Sequence, residues 1–219
     1  MVRRERRSLA LIEAFIAFGA GFMLAVVLLD MLPEVLAKDS SAAPYVLLGY
    51  LAVHLAQHVL VPHFHFGEET HPVSRSAGIS ALMGLLLHTF FDGVAIASGF
   101  MVSRSLGLLL FVAVFLHKLP EGVTMASLML AGGQSKGRAL AAASTLGLAT
   151  VLGVLLTEYA APIATHGLAI AAGVTLYVAA SNLVPEFQAK RIWWTPFAFF
   201  GGAGAFVATR LLIEKWVGG

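Results

Sequence analysis

Long apolar stretches joined by short polar connections dominate this chain. Each stretch has roughly 20 residues, the length at which a helix crosses the ~30 Å hydrocarbon core of a bilayer. The pattern predicts seven transmembrane helices, A to G, at Leu9–Leu29, Tyr45–Val61, Ala77–Val102, Leu106–Ala131, Ala139–Ala160, Leu168–Val184 and Phe197–Val217. The predicted fold class is therefore all-α, a polytopic transmembrane helix bundle that forms a single domain over residues 1–219.

Composition supports this class and narrows the chemistry. The chain is 58% hydrophobic and 12% charged, as expected for a protein whose main partner is the lipid bilayer. It contains no cysteine, so disulfides and thiolate metal sites are excluded, and any metal must be bound by nitrogen, oxygen or thioether sulfur. The net charge of +2 gives no indication of a nucleic-acid partner.

Lysines and arginines in the connections predict the orientation. One side collects the four N-terminal arginines with Arg75, Lys136, Arg138, Lys190 and Arg191, and the other has only Lys38, Arg104, Arg210 and Lys215. By the positive-inside rule the N-terminus is cytoplasmic and the C-terminus lies outside. We expect an integral protein of a bacterial inner (plasma) membrane.

Helices C and D each carry one copy of the motif His-x-x-x-(Asp/Glu)-Gly in mid-span. The copies are His88-Thr89-Phe90-Phe91-Asp92-Gly93 and His117-Lys118-Leu119-Pro120-Glu121-Gly122. Ionisable residues at bilayer depth are costly, so they indicate a functional site. With C and D antiparallel, the rise of ~1.5 Å per residue places His88 and Glu121 about 17 Å, and Asp92 and His117 about 22 Å, from the cytoplasmic ends.

Two interpretations of these four side chains remain. They could form a four-ligand site for Zn²⁺ or a similar divalent ion, made by a central two-helix hairpin. Alternatively, they could form two buried His–carboxylate hydrogen bonds that fix helix packing. The repetition of the motif at matching depth favours the metal site.

Further polar residues mark a candidate ion pathway. Its members are Asp30 and Glu34 at the outer end of A, His54 and His58 on B, and Ser181 and Asn182 at the end of F. Hydrogen bonding at the interface is the alternative for the two histidines. Residues 62–76 form a predicted cytoplasmic His-rich loop, in which His63, His65 and His71 could bind a cation loosely or simply be solvated.

The ends of helices A and F repeat each other. The sequence from Asp30 to Glu34 and the sequence from Asn182 to Glu186 share the spacing polar-x-x-Pro-Glu. Because A ends outside and F ends inside, the two copies have inverted topology. Such a repeat, flanking the central hairpin, is typical of transporters.

These motifs resemble those of the ZIP (Zrt/Irt-like protein) family of divalent-metal transporters. The two copies match the family signatures His-Asn-x-Pro-Glu-Gly and His-x-x-Pro-Glu-Gly, and helices A and F resemble its second and seventh helices. The resemblance implies uptake of Zn²⁺, or of Cd²⁺, Fe²⁺ or Mn²⁺, toward the cytosol. Carried over by position, the implied ligands are Met23, His88, Asp92 and Glu121, with His117 where Asn, Gln or His is common.

The chain departs from the family pattern at several positions. Thr89, Lys118 and Thr150 replace residues that bind a second metal ion in other members. We therefore expect a single-metal site, with the Lys118 ammonium as a substitute charge for the second ion. The alternative is that Lys118 turns away from the site. Phe91 replaces a proline, Asn182 an acid, and seven predicted helices stand against the family's eight.

The sequence thus predicts a transporter that moves divalent metal ions by alternating access through one midplane His/carboxylate site. It is not expected to be an enzyme. Two alternatives remain, an intramembrane zinc-dependent hydrolase and a metal sensor that does not transport. The sequence is also compatible with a homodimer.

Overall fold

A computed structural model describes residues 2–58, 75–189 and 193–217, and within these ranges the chain forms helices and no strand. The α-helices there are α1 (Val2–Val26), α2 (Leu32–Lys38), α3 (Ala43–His58), α4 (Arg75–Val102), α5 (Arg104–Ala131), α6 (Lys136–Tyr159), α7 (Ala161–Tyr177), α8 (Val184–Ala189) and α9 (Thr195–Val217). Two π-helical turns, Val27–Met31 and Val178–Leu183, join α1 to α2 and α7 to α8. The predicted all-α class is confirmed.

Six helical segments in the described part of the chain are long and apolar enough to span a bilayer. They are Glu13–Lys38, Leu82–Val102, Arg104–Ala131, Lys136–Tyr159, His166–Leu183 and Thr195–Trp216. The predicted helix that these six segments do not include is B, which corresponds to α3, and 16 residues of α3 are described. The rest of that span, and residues 62–74 of the predicted His-rich loop, lie outside the described residues, while residues 75–76 already belong to α4.

Helix directions support α3 as a further crossing. Phe22 packs on Phe206, and farther along both helices Asp30 contacts Arg210, so α1 and α9 run parallel. Two parallel spans at the ends of a chain that crosses back and forth require an odd number of crossings. The six long segments therefore need α3 as the seventh.

Glycines bring three parallel helix pairs into close contact. In each pair, each helix places a glycine against a backbone carbonyl of the other, so that a Cβ there would overlap the carbonyl oxygen. The contacts are Gly21 with Phe199 and Gly202 with Phe18 in α1/α9, Gly49 with Ile170 and Gly173 with Val46 in α3/α7, and Gly93 with Thr150 and Gly153 with Phe90 in α4/α6. Close packing through small residues is how membrane helices associate without a hydrophobic driving force between them.

The inverted repeat extends beyond the predicted motif. Asp30 follows Gly21 by nine residues, and Asn182 follows Gly173 by nine. In both halves the π-helical turn ends two residues before a proline, Pro33 or Pro185. A proline has no N–H to donate, and the helix accommodates this with a wider turn and then continues.

This continuation corrects two predicted boundaries. Helix A was expected to end at Leu29, but the helical path continues through the π-helical turn to Lys38. Helix F, expected to end at Val184, continues through α8 to Ala189. Proline at the second position of α2 is compatible with helix, because the N–H of an initial residue needs no helical partner.

The hairpin of α4 and α5 places the two motif copies side by side. The Ser103 hydroxyl caps α5 by accepting a hydrogen bond from Leu106 N at 3.1 Å. Gly99 and Gly107 lie near this turn, where a Cβ on Gly99 would meet the Gly107 backbone. The tight turn fixes the register of the antiparallel helices, and with it the relative depth of the two motifs.

Candidate metal centre

Two helices supply four potential metal ligands to one buried cluster. His88 and Asp92 lie one turn apart on α4, and His117 and Glu121 lie one turn apart on α5. One ligand atom from each residue lies within 4.8 Å of the others, and all four side chains are buried. The cluster combines two imidazoles with two carboxylates, a donor set that suits Zn²⁺ and similar divalent ions.

Asp92 is the centre of this cluster. Its Oδ2 lies 3.2 Å from His117 Nε2 and 3.5 Å from His88 Nε2. The two imidazole rings have centroids 5.6 Å apart. The two levels expected from the helical rise are therefore merged into one group around a single carboxylate oxygen.

The second nitrogen of His117 fixes how this ring faces the cluster. Nδ1 lies 2.8 Å from the carbonyl oxygen of Ala113, which can only accept a hydrogen bond. Nδ1 therefore carries the proton, and in a neutral ring Nε2 presents its lone pair to Asp92. A lone pair and a carboxylate oxygen repel at this distance unless a cation or a proton lies between them, which is the arrangement of a metal-binding histidine.

Lys118 points into the cluster and bridges its carboxylates. Its Nζ donates to Asp92 Oδ2 at 2.6 Å and to Glu121 Oε2 at 2.8 Å. The Lys118 side chain is 20% exposed, whereas both carboxylates are buried. One ammonium against two carboxylates leaves a net negative charge in the site when the imidazoles are neutral.

Two potential ligand atoms in the cluster have no hydrogen-bond partner among the described residues. These are His88 Nδ1 and Glu121 Oε1, both buried. Most buried polar atoms in folded proteins are paired, because leaving one unpaired costs free energy. One Glu121 oxygen thus accepts a hydrogen bond from Lys118, and the other is available to a metal ion.

The cluster borders a cavity of about 30 Å³ that extends toward one end of the bundle. Besides the site residues, it is lined by Ile16, Leu85, Thr124, Val178, Asn182 and Leu183. Ile16 and Leu85 lie toward the N-terminal ends of α1 and α4, the side that the charge distribution predicts to be cytoplasmic. In the opposite direction, buried apolar side chains fill the space, among them Val26, Val27, Leu109 and Ala113.

The threonines at the departures from the family pattern bind their own helices. Thr89 Oγ1 donates to Leu86 O at 3.1 Å, and Thr150 Oγ1 donates to Leu146 O at 3.4 Å. Both hydroxyls are thus engaged away from the cluster, whereas Lys118 is engaged with it.

Met23, the remaining implied ligand, is fully buried in an apolar cluster between helices. Its neighbours there include Val53 of α3 and Val174, Tyr177 and Val178 of α7 and the following turn. Phe91, next to Asp92 in the chain, packs against the same cluster. The structure thus places Met23 in apolar packing, and its role as a ligand stays a prediction.

Candidate pathway residues divide between the two ends of the bundle. At the end of α1, Asp30 forms an ion pair with Arg210 at 2.9 Å, and Glu34 one with Lys38 at 3.4 Å. Toward the other end, three polar contacts join α3 to α7 and its π-helical turn. They are His54 Nδ1 with Tyr177 OH at 3.4 Å, Ser181 Oγ with Tyr50 OH at 2.9 Å, and Asn182 Nδ2 donating to Gln57 Oε1 at 3.0 Å. The His58 side chain, His63, His65 and His71 lie outside the described residues.

Sequence reasoning missed Arg210 as a partner of Asp30. It counted this arginine only toward orientation, although a cation within an otherwise apolar stretch is itself a sign of a buried partner. The identity of that partner depends on α1 and α9 being neighbours, which helix periodicity does not reveal.

Comparison with models of known protein families gives a match over most of the chain. The model of the ZIP zinc transporter family matches residues 65–209, which include both motif copies and the second half of the inverted repeat. A search of curated proteins gave no significant match. The family match covers 145 of the 219 residues and agrees with the buried His/carboxylate cluster. The chain belongs to the ZIP zinc transporter family.

Proposed function

We propose that this protein carries divalent metal ions, foremost Zn²⁺, across a membrane toward the cytosol, binding one ion at a time at the α4–α5 cluster. Membership in the ZIP family supports divalent metal transport in general. The observation that carries the specific proposal is the convergence of four buried ligand atoms within 4.8 Å of one another.

In the proposed complex the ion takes the atoms that face the cluster without other engagement. His117 Nε2 is oriented by the bond from Nδ1 to Ala113, and Glu121 Oε1 has no other partner. With His88 and Asp92 these give two nitrogen and two oxygen ligands, which matches tetrahedral Zn²⁺. Met23, the soft ligand carried over from the family pattern, would be a fifth donor, which Zn²⁺ can accept by expanding its coordination.

Lys118 makes this a single-ion site in the proposal. Its ammonium already bridges Asp92 and Glu121, the two carboxylates that a second cation would have to share. A second divalent ion there would meet a fixed positive charge at contact distance. The hydroxyls of Thr89 and Thr150, engaged with their own helices, offer that ion little compensation.

The direction of transport in this proposal, toward the cytosol, is the one that the family resemblance implies. The cavity at the cluster extends toward the predicted cytoplasmic end, while apolar side chains fill the space toward Asp30. We assign this arrangement to the inward-facing half of an alternating-access cycle. An ion would enter near Asp30 and Glu34 in the other half and leave past Asn182 and the contacts of α3 with α7.

Uptake of radioactive Zn²⁺ into proteoliposomes tests the proposal. Asp92→Asn and Glu121→Gln each remove one ligand charge with little change in shape, so we expect each to reduce uptake at least tenfold. Glu158→Gln is the matched control, because Glu158 is an exposed carboxylate on α6 and its loss should leave uptake unchanged.

Each outcome has a defined meaning. Normal uptake by both site variants would refute the assignment of the site. Zn²⁺ binding by the parent protein without any flux would favour the metal sensor, and metal-dependent hydrolysis without flux would favour the enzyme.

A further inference from the structure

A vestibule of about 360 Å³ lies at the end of the bundle opposite the cavity of the metal centre. Its lining includes Asp30, Glu34, Ser103, Ser105, Arg210 and Glu214. The inner wall is made by Leu106 and Leu109 of α5, which belong to the apolar cluster that separates the vestibule from the metal centre. An ion that enters here must pass this apolar layer.

Arg210 of α9 connects three groups in the vestibule. Its Nη1 lies 2.9 Å from Asp30 Oδ1, and its Nε donates to Glu214 Oε1 at 2.9 Å. Nη1 also lies 3.5 Å from the carbonyl oxygen of Leu29. Pro33, four residues after Leu29, has no N–H to offer that carbonyl, and the arginine approaches it from α9.

The Arg210–Asp30 pair holds the π-helical turn Val27–Met31 against α9. Asp30 is only 10% exposed, so its charge depends on this partner more than a surface carboxylate would. Val27 and Met31 of the same turn pack in the apolar cluster that closes the route inward. Movement of this turn away from α5 would open that layer, and the ion pair opposes such movement.

The inverted repeat contains a second contact of the same kind. Arg210 follows Gly202 by eight residues, as Gln57 follows Gly49. Asp30 and Asn182 likewise occupy equivalent positions, nine residues after Gly21 and Gly173. The hydrogen bond of 3.0 Å from Asn182 Nδ2 to Gln57 Oε1 is therefore the counterpart of the Arg210–Asp30 ion pair at the opposite end of the bundle.

We propose that these two contacts are matched gate latches, an ionic one between Arg210 and Asp30 at the outer vestibule and a neutral one between Gln57 and Asn182 on the inner side. Each latch ties a π-helical turn to the neighbouring parallel helix. The outer gate is sensitive to charge and ionic strength, and the inner gate is not. The inference rests on the proposed function for the meaning of opening, but the outer latch can be tested without any transported ion.

The test uses the absence of cysteine from the sequence. Leu109→Cys introduces a single thiol on the inner wall of the vestibule, where the native side chain is only 2% exposed. The rate of modification by a hydrophilic maleimide, added to both sides of reconstituted membranes, reports how often the vestibule opens. Adding Arg210→Gln replaces the ionic latch by the residue found at the inner position, and we expect labelling about fivefold faster, from an ion pair contributing roughly 1 kcal/mol.

Lys215→Gln in the same background is the matched control. It removes one positive charge from the same end of α9, but Lys215 is exposed and outside the vestibule lining. Its labelling rate should equal that of the Leu109→Cys parent. Higher salt should accelerate labelling of the parent and of the control, but not of the Arg210→Gln variant, because screening acts on the ion pair.

Asp30→Asn gives an independent check if Arg210→Gln folds poorly. It should accelerate labelling too, though not beyond the effect of Arg210→Gln, which also removes the contact with the Leu29 carbonyl. Adding Asp30→Asn to Arg210→Gln should have little further effect, since the ion pair is already lost. Equal rates in the parent and in both single variants would overturn the latch. Zn²⁺ uptake measured in parallel separates the proposals, because faster labelling without any uptake supports the latch and counts against transport.

Discussion

At the scale of single residues, the site is defined by the hydrogen-bond partners of a few buried side-chain oxygens and nitrogens. Glu121 divides its oxygens, one bound to Lys118 and one without a partner among the described residues. His117 commits Nδ1 to the backbone and turns Nε2 to Asp92. These contacts would orient the proposed ligands before an ion arrives.

Lys118→Met tests the ammonium as a built-in counter-charge. Methionine retains a long, unbranched side chain but leaves Asp92 and Glu121 without their shared donor. We expect a lower melting temperature without metal, because removing one partner of a buried ion pair typically costs about 3–5 kcal/mol. We also expect Zn²⁺ to bind more tightly and to raise the melting temperature more than in the parent, since the competing charge is gone.

Thermal unfolding of the purified protein with and without Zn²⁺ measures both effects. Lys136→Met, at the exposed start of α6, is the control and should resemble the parent. An unchanged metal-free melting temperature in Lys118→Met would contradict the structural role of the bridge.

At the scale of elements, the positions of the proposed ligands depend on glycines that do not themselves belong to the metal centre. Gly93 follows Asp92 directly and lies against the Thr150 carbonyl of α6, while Gly153 lies against Phe90 of α4. The close approach of α4 and α6 therefore holds the helix that bears His88 and Asp92.

Gly153→Ala should disrupt this approach. The added Cβ would overlap the Phe90 carbonyl, so α4 and α6 must separate or the carbonyl must move. We expect a melting temperature lower by several degrees and weaker Zn²⁺ binding, as overpacking typically costs about 1–3 kcal/mol.

Gly147→Ala on the same helix is the matched control. A Cβ at Gly147 meets no atom within 4 Å, so this change should leave stability equal or slightly higher. If both variants behaved alike, the close packing of α4 with α6 would not matter for the site.

Sequence alone predicted that these four side chains cluster, because their spacing follows from helix geometry. Residues four apart share a helix face, and two apolar stretches joined by a short turn form an antiparallel hairpin. The direction of Lys118 could not be derived in the same way, since its flexible side chain can reach several surroundings. The continuation of α1 beyond Leu29 was also missed, because a proline usually suggests that a helix ends, whereas here a π-helical turn absorbs it.

At the scale of the whole molecule, the parallel pairing of helices determines which polar residues meet at each end of the bundle. α1 and α9 run in the same direction, as the order of their contacts shows. The pairing of Asp30 with Arg210 and of Asn182 with Gln57 could not be predicted from periodicity, because it depends on which helices become neighbours in the bundle.

The two termini should lie on opposite sides of the membrane. A parallel α1 and α9 require this. Basic residues are in excess in the connections on the N-terminal side of the membrane, which predicts that the N-terminus is cytoplasmic. Protease protection of a short tag placed at either end, in sealed inverted and right-side-out vesicles, measures the arrangement. Tags protected in the same vesicles would contradict seven crossings.

The Lys118 bridge has an electrical consequence. With neutral imidazoles, two carboxylates and one ammonium give the empty site a charge of −1, and a bound divalent ion changes it to +1. In the proposed alternating-access cycle, the membrane potential would act on both halves, and each unit charge moved through the full field corresponds to about 2.3 kcal/mol per 100 mV. Without the ammonium, the loaded site would be neutral and the whole voltage dependence would fall on the return of the empty carrier.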